Sequence, residues 1–585
     1  MGQYVADFET LVHPEYTYVW GYGVCEIGNM ANESIGNNID DFMKWCETGD
    51  NKTVYFHNLR FDGQFIIYWL LKNGFEYVSD RKEYRDKTFT ALISKMNQFY
   101  MIEVVFKKYS KKYKKVVFYD SLKKLPFPVS RIAKAFKLDM LKGEIDYKQY
   151  RVRDHQLTEE EIAYIRNDIQ IVASALDTQF KEGLTKMTVG SDALNSFKEM
   201  IGKKEFTTLF PILPLEIDSD IRQAYRGGYT YAHRPYREKD VGEGISYDVN
   251  SLYPSVMYYQ PLPYGMPIFF RGRYKEDSIY PLYIQHLKCT LELKKDKIPT
   301  IQIKDDPFFS ATEYIESTNG REVDLFLTNI DLELLFEHYD VFVIEWGSGW
   351  KFKSHTGFFN EYIDYWMEIK ETETGALREL AKLMLNSLYG KFATNPDITG
   401  KVPTLDTEKD IIVYEEGKQE EREPVYTALG VFITSWARYK TITTAQKEYH
   451  RFLYADTDSI HLKGVDIPDI DIHPTKMGAW AWEGTFKRAR FLRAKAYIED
   501  IYQKQDDNGK WVNCMPDEHE RTLLLVKCAG MPDNVKEMVT WENFQIGFDT
   551  TDFDDENKKL VPKRVPGGVV LIEGKYAISR KHGIM

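Results

Sequence analysis

The run Tyr454-Ala455-Asp456-Thr457-Asp458-Ser459-Ile460-His461 is apolar and strand-like, but two carboxylates interrupt it two residues apart. Because side chains alternate along a strand, Asp456 and Asp458 should lie on one face of a strand or of a tight hairpin. Burying unpaired carboxylates is costly, and hard divalent cations are natural compensating charges. The run therefore predicts a metal-dependent site on a β-sheet.

A second apolar run, from Ile245 to Pro254, carries a third aspartate, Asp248, in the same kind of setting. If the two runs form neighbouring strands, their three carboxylates come together. Mg²⁺ typically binds one or two carboxylates together with substrate phosphates, and a pair of such ions can drive phosphoryl transfer. The two runs together therefore predict an enzyme that polymerises nucleotides.

The N-terminal run Val5-Ala6-Asp7-Phe8-Glu9-Thr10 places two more carboxylates in alternation on a predicted strand. Asp62 ends the run that begins at Tyr55, and Tyr164 and Asp168 lie on a predicted helix. Residues four apart share a helix face, so Tyr164 and Asp168 should face one site. Four carboxylates from separate elements can hold two Mg²⁺ ions about 4 Å apart, and Tyr164 could then orient an attacking water. The set predicts a second, hydrolytic centre.

Length, composition and charge indicate a folded protein of several domains with local affinity for nucleic acid. The 585 residues are 43% hydrophobic and 15% aromatic, which excludes a largely disordered chain. The net charge is −12, so the overall field does not favour polyanions, but cations cluster at 107–115, 487–495 and 558–564. Such clusters favour defined tracks for a phosphate backbone.

Cysteine usage and hydropathy indicate the compartment. The five cysteines are scattered and show no zinc-ligand spacing, so we expect a reduced protein. No apolar run approaches the roughly 20 residues of a membrane span, and we expect neither a membrane partner nor a signal peptide ahead of Asp7. The expected location is the cytosol.

The periodicity of the chain predicts an α/β multidomain fold. Residues 1 to about 188 mix short strands with a helix from Glu159 to Phe180, and the pattern becomes strand-rich around Tyr225 to Tyr229. Helical periodicity from 358 to 394 breaks at Glu371 to Gly375, which predicts two antiparallel helices. The remaining predictions are an inserted subdomain of short strands at about 260–357, a protruding hairpin at Gly400–Pro424 and a small β unit at 567–572.

Three motifs resemble, in composition and order, the polymerase motifs of family B DNA polymerases. They are Asp248-x-x-Ser251-Leu252-Tyr253-Pro254, Lys382-x-x-x-Asn386-Ser387-x-Tyr389-Gly390 and Tyr454-x-Asp456-Thr457-Asp458-Ser459. The earlier carboxylates are similar to those of 3′–5′ exonucleases of the DEDDy kind. Further motifs narrow the resemblance to the protein-primed branch and, within it, to the phi-twenty-nine-type phage polymerases. These motifs are Tyr225-Arg226-Gly227-Gly228, Ser121-Leu122-Lys123-Lys124-Leu125-Pro126-Phe127-Pro128 and Lys527-Cys528-Ala529-Gly530-Met531.

The resemblance implies an N-terminal RNase H-like 3′–5′ exonuclease domain and a right-hand polymerase domain with two insertions. The implied boundaries are 1–188 for the exonuclease domain, 189–259 and 421–527 for the palm, 358–396 for the fingers, 528–585 for the thumb, and 260–357 and 397–420 for the insertions. The first insertion would contact a terminal protein that supplies the priming hydroxyl. The second would close a tunnel around DNA and so support processive synthesis with strand displacement.

The resemblance also implies two Mg²⁺ ions at each centre, for which Mn²⁺ is expected to substitute. The implied residues of the polymerase centre are Asp248, Asp456 and Asp458 with the carbonyl of Val249. Those of the exonuclease centre are Asp7, Glu9, Asp62 and Asp168, with Tyr164 and Lys142 in support. The incoming deoxynucleoside triphosphate would be bound by Lys370 and Lys382 on its phosphates, Asn386 and Tyr389 over the nascent pair, and Tyr253 as a gate against a 2′-hydroxyl.

DNA contacts are implied on both sides of the molecule. On the polymerase side they are Tyr225, Arg226, Gly227, Gly228, Thr434, Arg438, Lys495 and Tyr497. On the exonuclease side they are Thr10, His57, Asn58, Phe61, Phe65, Ser121 and Leu122. The implied partners are primer-template DNA, deoxynucleoside triphosphates and the terminal protein. The expected protein is a monomer that replicates a linear viral genome in the cytoplasm of an infected bacterial host.

Three other functions agree less well with the sequence. A polymerase that extends only nucleic-acid primers would not need the two insertions. A catalytically inactive polymerase fold, serving as a replication scaffold, would be expected to lack a metal ligand, yet all seven acidic positions are present. An exonuclease alone would leave the centre around Asp248 unexplained.

Overall fold

A mixed eight-stranded sheet forms the N-terminal part of the computed structural model, which describes residues 2–110, 112–137, 143–147, 149–552 and 559–580. Its strands are β1 (Gly2–Thr10), β2 (Val19–Glu26), β3 (Asn29–Gly36), β4 (Lys52–Phe56), β5 (Glu76–Tyr77), β6 (Thr88–Ile93), β7 (Phe99–Tyr109) and β8 (Lys112–Asp120). The strand order is β3-β2-β1-β4-β8-β7-β6-β5, with β1, β4 and β8 parallel.

Helices cover both faces of this sheet. They are α1 (Ile39–Glu47) and α2 (Leu59–Lys72) on one face, and α3 (Val129–Ala135) and α4 (Glu159–Lys181) on the other. The alternation of β1 explains the two layers, since Val5 packs with α4 and Phe8 packs with α1. The predicted helix that ends at Phe180 is confirmed by α4.

The remaining elements follow in chain order. They are α5 (Val189–Ile201), α6 (Lys203–Leu209), α7 (Leu215–Arg222), β9 (Thr230–Ala232), β10 (Asp240–Val241), β11 (Gly244–Val249), α8 (Leu252–Tyr259), β12 (Leu262–Phe270), β13 (Leu282–Leu293), β14 (Val323–Thr328), α9 (Asn329–His338), β15 (Tyr339–His355), α10 (Asn360–Thr372), α11 (Ala376–Phe392), β16 (Lys401–Asp406), β17 (Ile411–Glu416), α12 (Thr427–Lys447), β18 (Phe452–Asp456), β19 (Ser459–Lys463), β20 (Trp480–Arg493), β21 (Ala496–Gln505), β22 (Trp511–Asn513), β23 (Arg521–Cys528), α13 (Asp533–Lys536), β24 (Lys559–Val565) and β25 (Gly568–Gly574).

A second sheet, of nine strands within the described residues, carries the two apolar aspartate runs. Its order is β22-β21-β20-β11-β19-β18-β9, with β10 paired to β20 and β23 paired to β21. Strand β11 lies between β19 and β20 and is antiparallel to both. The predicted side-by-side placement of the two runs is therefore confirmed. Helix α12 is buried behind this sheet along most of its length, which positions the aspartate strands rigidly.

The segment 260–357 forms a separate four-stranded sheet of order β12-β15-β13-β14. The expectation of short strands is wrong here, since β13 has 12 residues and β15 has 17. A shift of register takes up the stretch Gly347–Gly349, so β15 continues through it as one strand. The chain becomes strand-rich directly after Tyr225–Tyr229, with β9, β10 and β11 leading to Asp248 as predicted, although this stretch itself is not a strand. Side chains of Lys304 and Arg438 bind the carbonyls of this stretch in place of a strand ladder.

Three local predictions are confirmed. Helices α10 and α11 form a pair that breaks between Thr372 and Ala376. Strands β16 and β17 form the predicted hairpin, although β17 ends at Glu416, well before Pro424. Strands β24 and β25 form the C-terminal β unit. None of the helices in the described ranges has the length and apolar character needed to cross a bilayer.

Three elements meet in an arrangement that we call the arch: helix α2, which packs on the N-terminal sheet, hairpin β16–β17 and hairpin β24–β25. The Tyr414 hydroxyl of β17 donates to Oε1 of Gln64 at 3.0 Å, and the guanidinium of Arg564 lies 4.7 Å from the Tyr414 ring. Gly567 has a φ of +99°, and a Cβ there would lie 1.8 Å from the carbonyl oxygen of Thr17. Only glycine lets these two backbones meet. The arch lines a cavity of about 630 Å³.

Candidate active sites

The first candidate centre is built on the hairpin between β18 and β19. Asp456 ends β18, Thr457 has a left-handed φ of +60°, and Asp458 completes the turn. The backbone N–H of Val249 donates to the carbonyl of Asp458 at 2.7 Å, and Asp248 is paired opposite Ser459. The predicted tight hairpin is confirmed, and it brings the three aspartates to one edge of the sheet.

The electrostatics of this centre favour a cation. Burial, followed by the nearby charges of Asp458 and Glu483, raises the pKa of Asp248 to about 7. Burial and then Asp456 raise the pKa of Asp458. Oδ1 of Asp248 is buried without a hydrogen-bond partner among the described residues. Such carboxylates are costly to bury unless a positive charge arrives.

The carboxylates do not form a closed cage. In the ranges that the structure describes, no group of three or more His, Cys, Asp or Glu side chains converges as a metal site. Mg²⁺ does not need one, because it usually takes one or two carboxylates and completes its shell with phosphates and water. The donor set at Asp248 therefore fits Mg²⁺. The charge of Glu483 on β20 went unrecognised in the sequence, where it stands as a lone glutamate without a motif.

Asp456 differs from its two neighbours because it already has a cationic partner. Nζ of Lys495 lies 2.6 Å from Oδ1 of Asp456, and the Thr230 hydroxyl donates to the same oxygen at 3.0 Å. The backbone N–H of Lys495 donates to the hydroxyl of Tyr454 at 2.8 Å. Lys495 thus lies at the centre, as predicted, and Tyr497 lies beside Tyr454 at a ring distance of 4.9 Å.

The residues predicted to bind a nucleotide converge beside the aspartates. The rings of Tyr253 on α8 and Tyr389 on α11 stack at 3.9 Å with an interplanar angle of 15°. Nζ of Lys370 donates to Oγ of Ser251 at 3.1 Å. Burial, Arg378 and Lys382 lower the pKa of Lys370. The cations of α10 and α11 are therefore concentrated at one place.

Two further predicted nucleotide ligands lie on α11. Asn386 is exposed on this helix, and Lys382 pairs with Glu379 at 2.7 Å. Arg378, whose guanidinium binds the carbonyl of Lys370, was missed from the sequence. Its position four residues before Lys382 on the same helix face could have revealed it.

Three residues predicted to contact DNA on the polymerase side are buried instead, and Arg226 is the first of them at 8% exposure. Arg438 is 2% exposed and Thr434 is 1% exposed, so neither presents a surface to DNA in this structure. The Arg438 guanidinium donates to the carbonyls of Arg226 and Gly227 at 2.7 and 2.9 Å and pairs with Asp331 at 2.6 Å. Because this pairing buries its guanidinium, Arg438 does not reach DNA and instead holds the backbone of Tyr225–Gly228 in place.

The second candidate centre gathers the N-terminal carboxylates. Asp7 and Glu9 lie on β1, Asp62 on α2, and Tyr164 and Asp168 on α4. Burial, then Asp7 and Glu9, raise the pKa of Asp62 well above its usual range. Oδ1 of Asp62 is buried and has no hydrogen-bond partner in the described part of the chain. This donor set also fits a divalent cation.

Tyr164 has a partner that the sequence did not reveal. Its hydroxyl forms a hydrogen bond with that of Tyr147. Burial, followed by Tyr147, Asp168 and Glu9, raises the pKa of Tyr164, so this group stays a neutral hydroxyl. Tyr147 lies in a stretch without helix or strand periodicity, and for that reason no pattern pointed to it. Lys142, predicted to support this centre, lies outside the described residues.

The residues predicted to bind an unpaired DNA strand divide into an exposed group and a buried group. Thr10, His57, Asn58, Phe61 and Leu122 are partly or fully exposed, as a strand contact requires. Phe65 and Ser121 are buried, at 1% and 0% exposure. Neither can contact DNA directly in this structure, and both instead support neighbouring residues. Phe65 packs against the backbone of β25, and Ser121 lies 3.0 Å from Nδ1 of His57.

Comparisons with known proteins agree with one another. A family model described as DNA polymerase type B, organellar and viral, matches residues 46–477. The DNA polymerases of Bacillus phages B103 and phi29 are each 51% identical to this chain, over 98% of it and 99% of their own lengths. The DNA polymerase of Streptococcus phage Cp-1 is 33% identical over 98% of both chains.

Solved structures extend the similarity to the fold. Phi29 DNA polymerase complexed with single-stranded DNA superposes with a TM-score of 0.93 at 50% identity, covering 99% of this chain and 100% of that one. The same protein in a ternary complex with primer-template DNA and incoming nucleotides gives the same values. The predicted α/β multidomain fold, an exonuclease domain with a right-hand polymerase domain and two insertions, is confirmed by this match.

Proposed function

The chain belongs to the organellar and viral type B DNA polymerases, and we propose that it initiates on a terminal protein, elongates with strand displacement and proofreads by 3′–5′ exonuclease. One observation carries this proposal: the chain has two separate carboxylate centres, around Asp248 and around Asp62, and each includes a buried aspartate oxygen that has no hydrogen-bond partner in the part of the chain that the structure describes. The relatives described above, which it matches over nearly their full length, are phage proteins, so we further propose that it replicates a linear viral genome in the cytoplasm of an infected bacterium.

At the polymerase centre, Asp248 and Asp458 with the carbonyl of Val249 would hold two Mg²⁺ ions. When bound, these ions would polarise the phosphate and lower the pKa of the attacking hydroxyl. In the reaction the primer 3′-hydroxyl attacks the α-phosphate and pyrophosphate leaves. The work of the chain's own residues is to orient the substrates, and Lys495 beside Asp456 lies where it can hold the primer end.

The nucleotide lies, in this proposal, between α8 and α11. Lys370, Arg378 and Lys382 neutralise the triphosphate, because cations stabilise charge that develops on phosphate oxygens. Tyr389 packs on the nascent base pair. Tyr253, held in place by its stack on Tyr389, leaves no room for a 2′-hydroxyl and so selects deoxynucleotides by shape.

At the exonuclease centre, Asp7, Glu9, Asp62 and Asp168 would hold Mg²⁺, which would activate water and stabilise the leaving oxygen. Tyr164 stays neutral and is oriented by Tyr147, so its hydroxyl can direct a water toward the terminal phosphodiester. Hydrolysis then releases one nucleoside monophosphate. The partly exposed Phe61 offers a stacking surface for an unpaired base of any kind.

The arch supports strand displacement. It encloses a cavity between α2, β16–β17 and β24–β25, which is lined by the exposed Asn58 and the partly exposed Phe61 of the exonuclease side. A template strand that passes such an enclosure leaves the complementary strand outside, so synthesis and unwinding become one process. We assign the sheet of residues 260–357 to the terminal protein, since it is separate from the sheets that carry the two centres and has a hydrophobic cluster of its own.

A primer-extension assay with a long downstream duplex tests the proposal. A labelled primer in Mg²⁺ should elongate through the duplex when deoxynucleotides are present and shorten when they are absent, and EDTA should stop both. Shortening without elongation would reduce the protein to a nuclease. Binding without either reaction would make it a scaffold. Initiation requires a second assay, in which the phage's terminal protein should acquire a covalently bound nucleotide.

A further inference from the structure

A buried pair joins the aspartate hairpin to the strand that carries Tyr497. Nδ1 of His461 lies 2.6 Å from Oε1 of Glu499, and both side chains are buried. His461 belongs to β19, which follows the turn at Asp458, and Glu499 belongs to β21. Strands β20 and β11 lie between β21 and β19 in the sheet. The pair therefore connects two strands that share no backbone hydrogen bonds.

Three aromatic rings enclose the imidazole of His461. Its ring centroid lies 5.4, 5.5 and 5.2 Å from those of Tyr454, Phe491 and Tyr497. The hydroxyl of Tyr454 accepts the backbone N–H of Lys495. One packed unit thus extends from the pair to Lys495, which is proposed to hold the primer end, and to Tyr497, which is predicted to contact DNA beside it.

The pair is poorly explained as a source of stability. Replacing a buried ionic or hydrogen-bonded pair by apolar residues of similar size is often neutral or favourable for folding. Nε2 of His461 is buried and has no hydrogen-bond partner within the described residues, so the polar unit is incompletely satisfied. The hydrogen bond between His461 and Glu499 instead fixes the distance and the relative direction of β19 and β21.

We propose that His461 and Glu499 are positioning residues that hold Lys495 and Tyr497 in register with the hairpin of Asp458. The inference rests on the proposed polymerase function. Without the pair, β21 is connected to β19 only through the ladders of β20 and β11, so its position relative to the hairpin is less tightly fixed and the grip on the primer end weakens. The primer end then leaves the polymerase centre more often and reaches the exonuclease centre.

Substitutions at Glu499 separate positioning from packing. Glu499→Leu keeps most of the volume and removes the acceptor, whereas Glu499→Gln keeps an acceptor oxygen at the same place. For each protein we would measure the deoxynucleotide concentration at which elongation of a labelled primer-template balances its degradation. We expect this concentration to rise about tenfold in Glu499→Leu and less than about threefold in Glu499→Gln. Exonuclease activity on single-stranded DNA should stay unchanged in both.

Several outcomes would overturn the inference. An unchanged balance in Glu499→Leu would do so, as would a parallel loss of elongation, single-strand exonuclease activity and melting temperature. If Glu499→Leu does not fold, His461→Phe, which keeps the ring and removes Nδ1, should show the same tenfold shift, and its absence would be equally decisive. A wild-type protein that cannot elongate primers would instead refute the proposed function, so the two failures are distinguishable.

Discussion

At the scale of single residues, the two centres share buried carboxylate oxygens that have no hydrogen-bond partner within the described residues. Asp456 has Lys495 as its partner, whereas Asp248 keeps a buried oxygen unsatisfied. Asp62 on α2, the helix that packs on the N-terminal sheet, also has a buried oxygen without a hydrogen-bond partner among the described residues. Aspartates of this kind are electrostatically unfavourable until a cation binds, so the affinity for metal is built into the folded protein.

The separation of the centres gives the first prediction. Asp458→Asn should lower elongation by about a thousandfold or more, because it removes one charge from the proposed metal site, and should leave single-strand degradation within about twofold. Asp62→Asn is the matched variant and should do the reverse. Both rates would be measured on the same labelled oligonucleotides. Loss of both activities in either variant would contradict two independent centres.

The pKa of Asp248, raised to about 7, gives a prediction for pH. An unfolded aspartate titrates near about 4, so without metal the folded state binds the extra proton between about pH 4 and 7. Stability of the metal-free protein should therefore fall as pH rises through that range. Since Mg²⁺ competes with this proton, the increase in Tm caused by Mg²⁺ should grow from about pH 6 to about pH 8. In Asp248→Asn this growth should be smaller, and an equal growth would contradict the assignment.

At the scale of elements, periodicity predicted which residues share a face of a helix or strand, but not whether that face is buried or exposed. Phe61 and Phe65 lie four apart on α2, and both were expected to stack on DNA. Hairpin β24–β25 covers Phe65 and leaves Phe61 accessible. The burial of Arg438 depends on Asp331, which lies far away in the sequence, and no local pattern could show that pairing. Long-range packing, absent from any window of sequence, decided these cases.

Hairpin β16–β17 gives a prediction at the same scale. Asp410 at its tip accepts from the Tyr68 hydroxyl at 2.7 Å and pairs with Lys72 at 2.9 Å. Both partners of the ion pair are partly exposed, so the pair contributes at most about 1 kcal/mol, or about fivefold in the population of the closed arch. Lys72→Glu should therefore shorten strand-displacement products about two- to fivefold without changing extension on single-stranded template.

The charge-swapped double variant is the control. Lys72→Glu with Asp410→Lys should regain most of the product length, because the attraction is restored with reversed sign. Product length would be compared on gels at one ionic strength. Failure of the double variant to recover would show that the hairpin is held by its apolar contacts alone.

At the scale of the molecule, the order of motifs along the chain was sufficient to predict the fold class. The sequence also showed most of both centres, because carboxylates on apolar strands are conspicuous. It did not show Glu483, Arg378 or Tyr147, since each gains its place only when separate segments fold together. The net charge of −12 was equally uninformative, because a total charge does not show where the local cation clusters predicted to bind DNA lie.

Binding of DNA by these clusters gives a prediction for the whole protein. The affinity for primer-template DNA should fall linearly with salt on logarithmic axes, with a slope of about −0.9 for each phosphate neutralised in duplex DNA. The slope should be the same for templates of unrelated sequence, because backbone contacts carry no base information. Fluorescence anisotropy over a salt series would measure it. A slope that changes with template sequence would indicate base-specific recognition.

The arch also has a kinetic consequence. A DNA strand enclosed by the arch can dissociate in two ways: the strand slides until its end leaves the arch, or the arch opens. On a covalently closed circular template there is no end, so the lifetime of the complex is set by the opening rate of contacts such as that between Gly567 and Thr17. That rate has the steep temperature dependence of local unfolding, and it does not change with the concentration of competitor DNA.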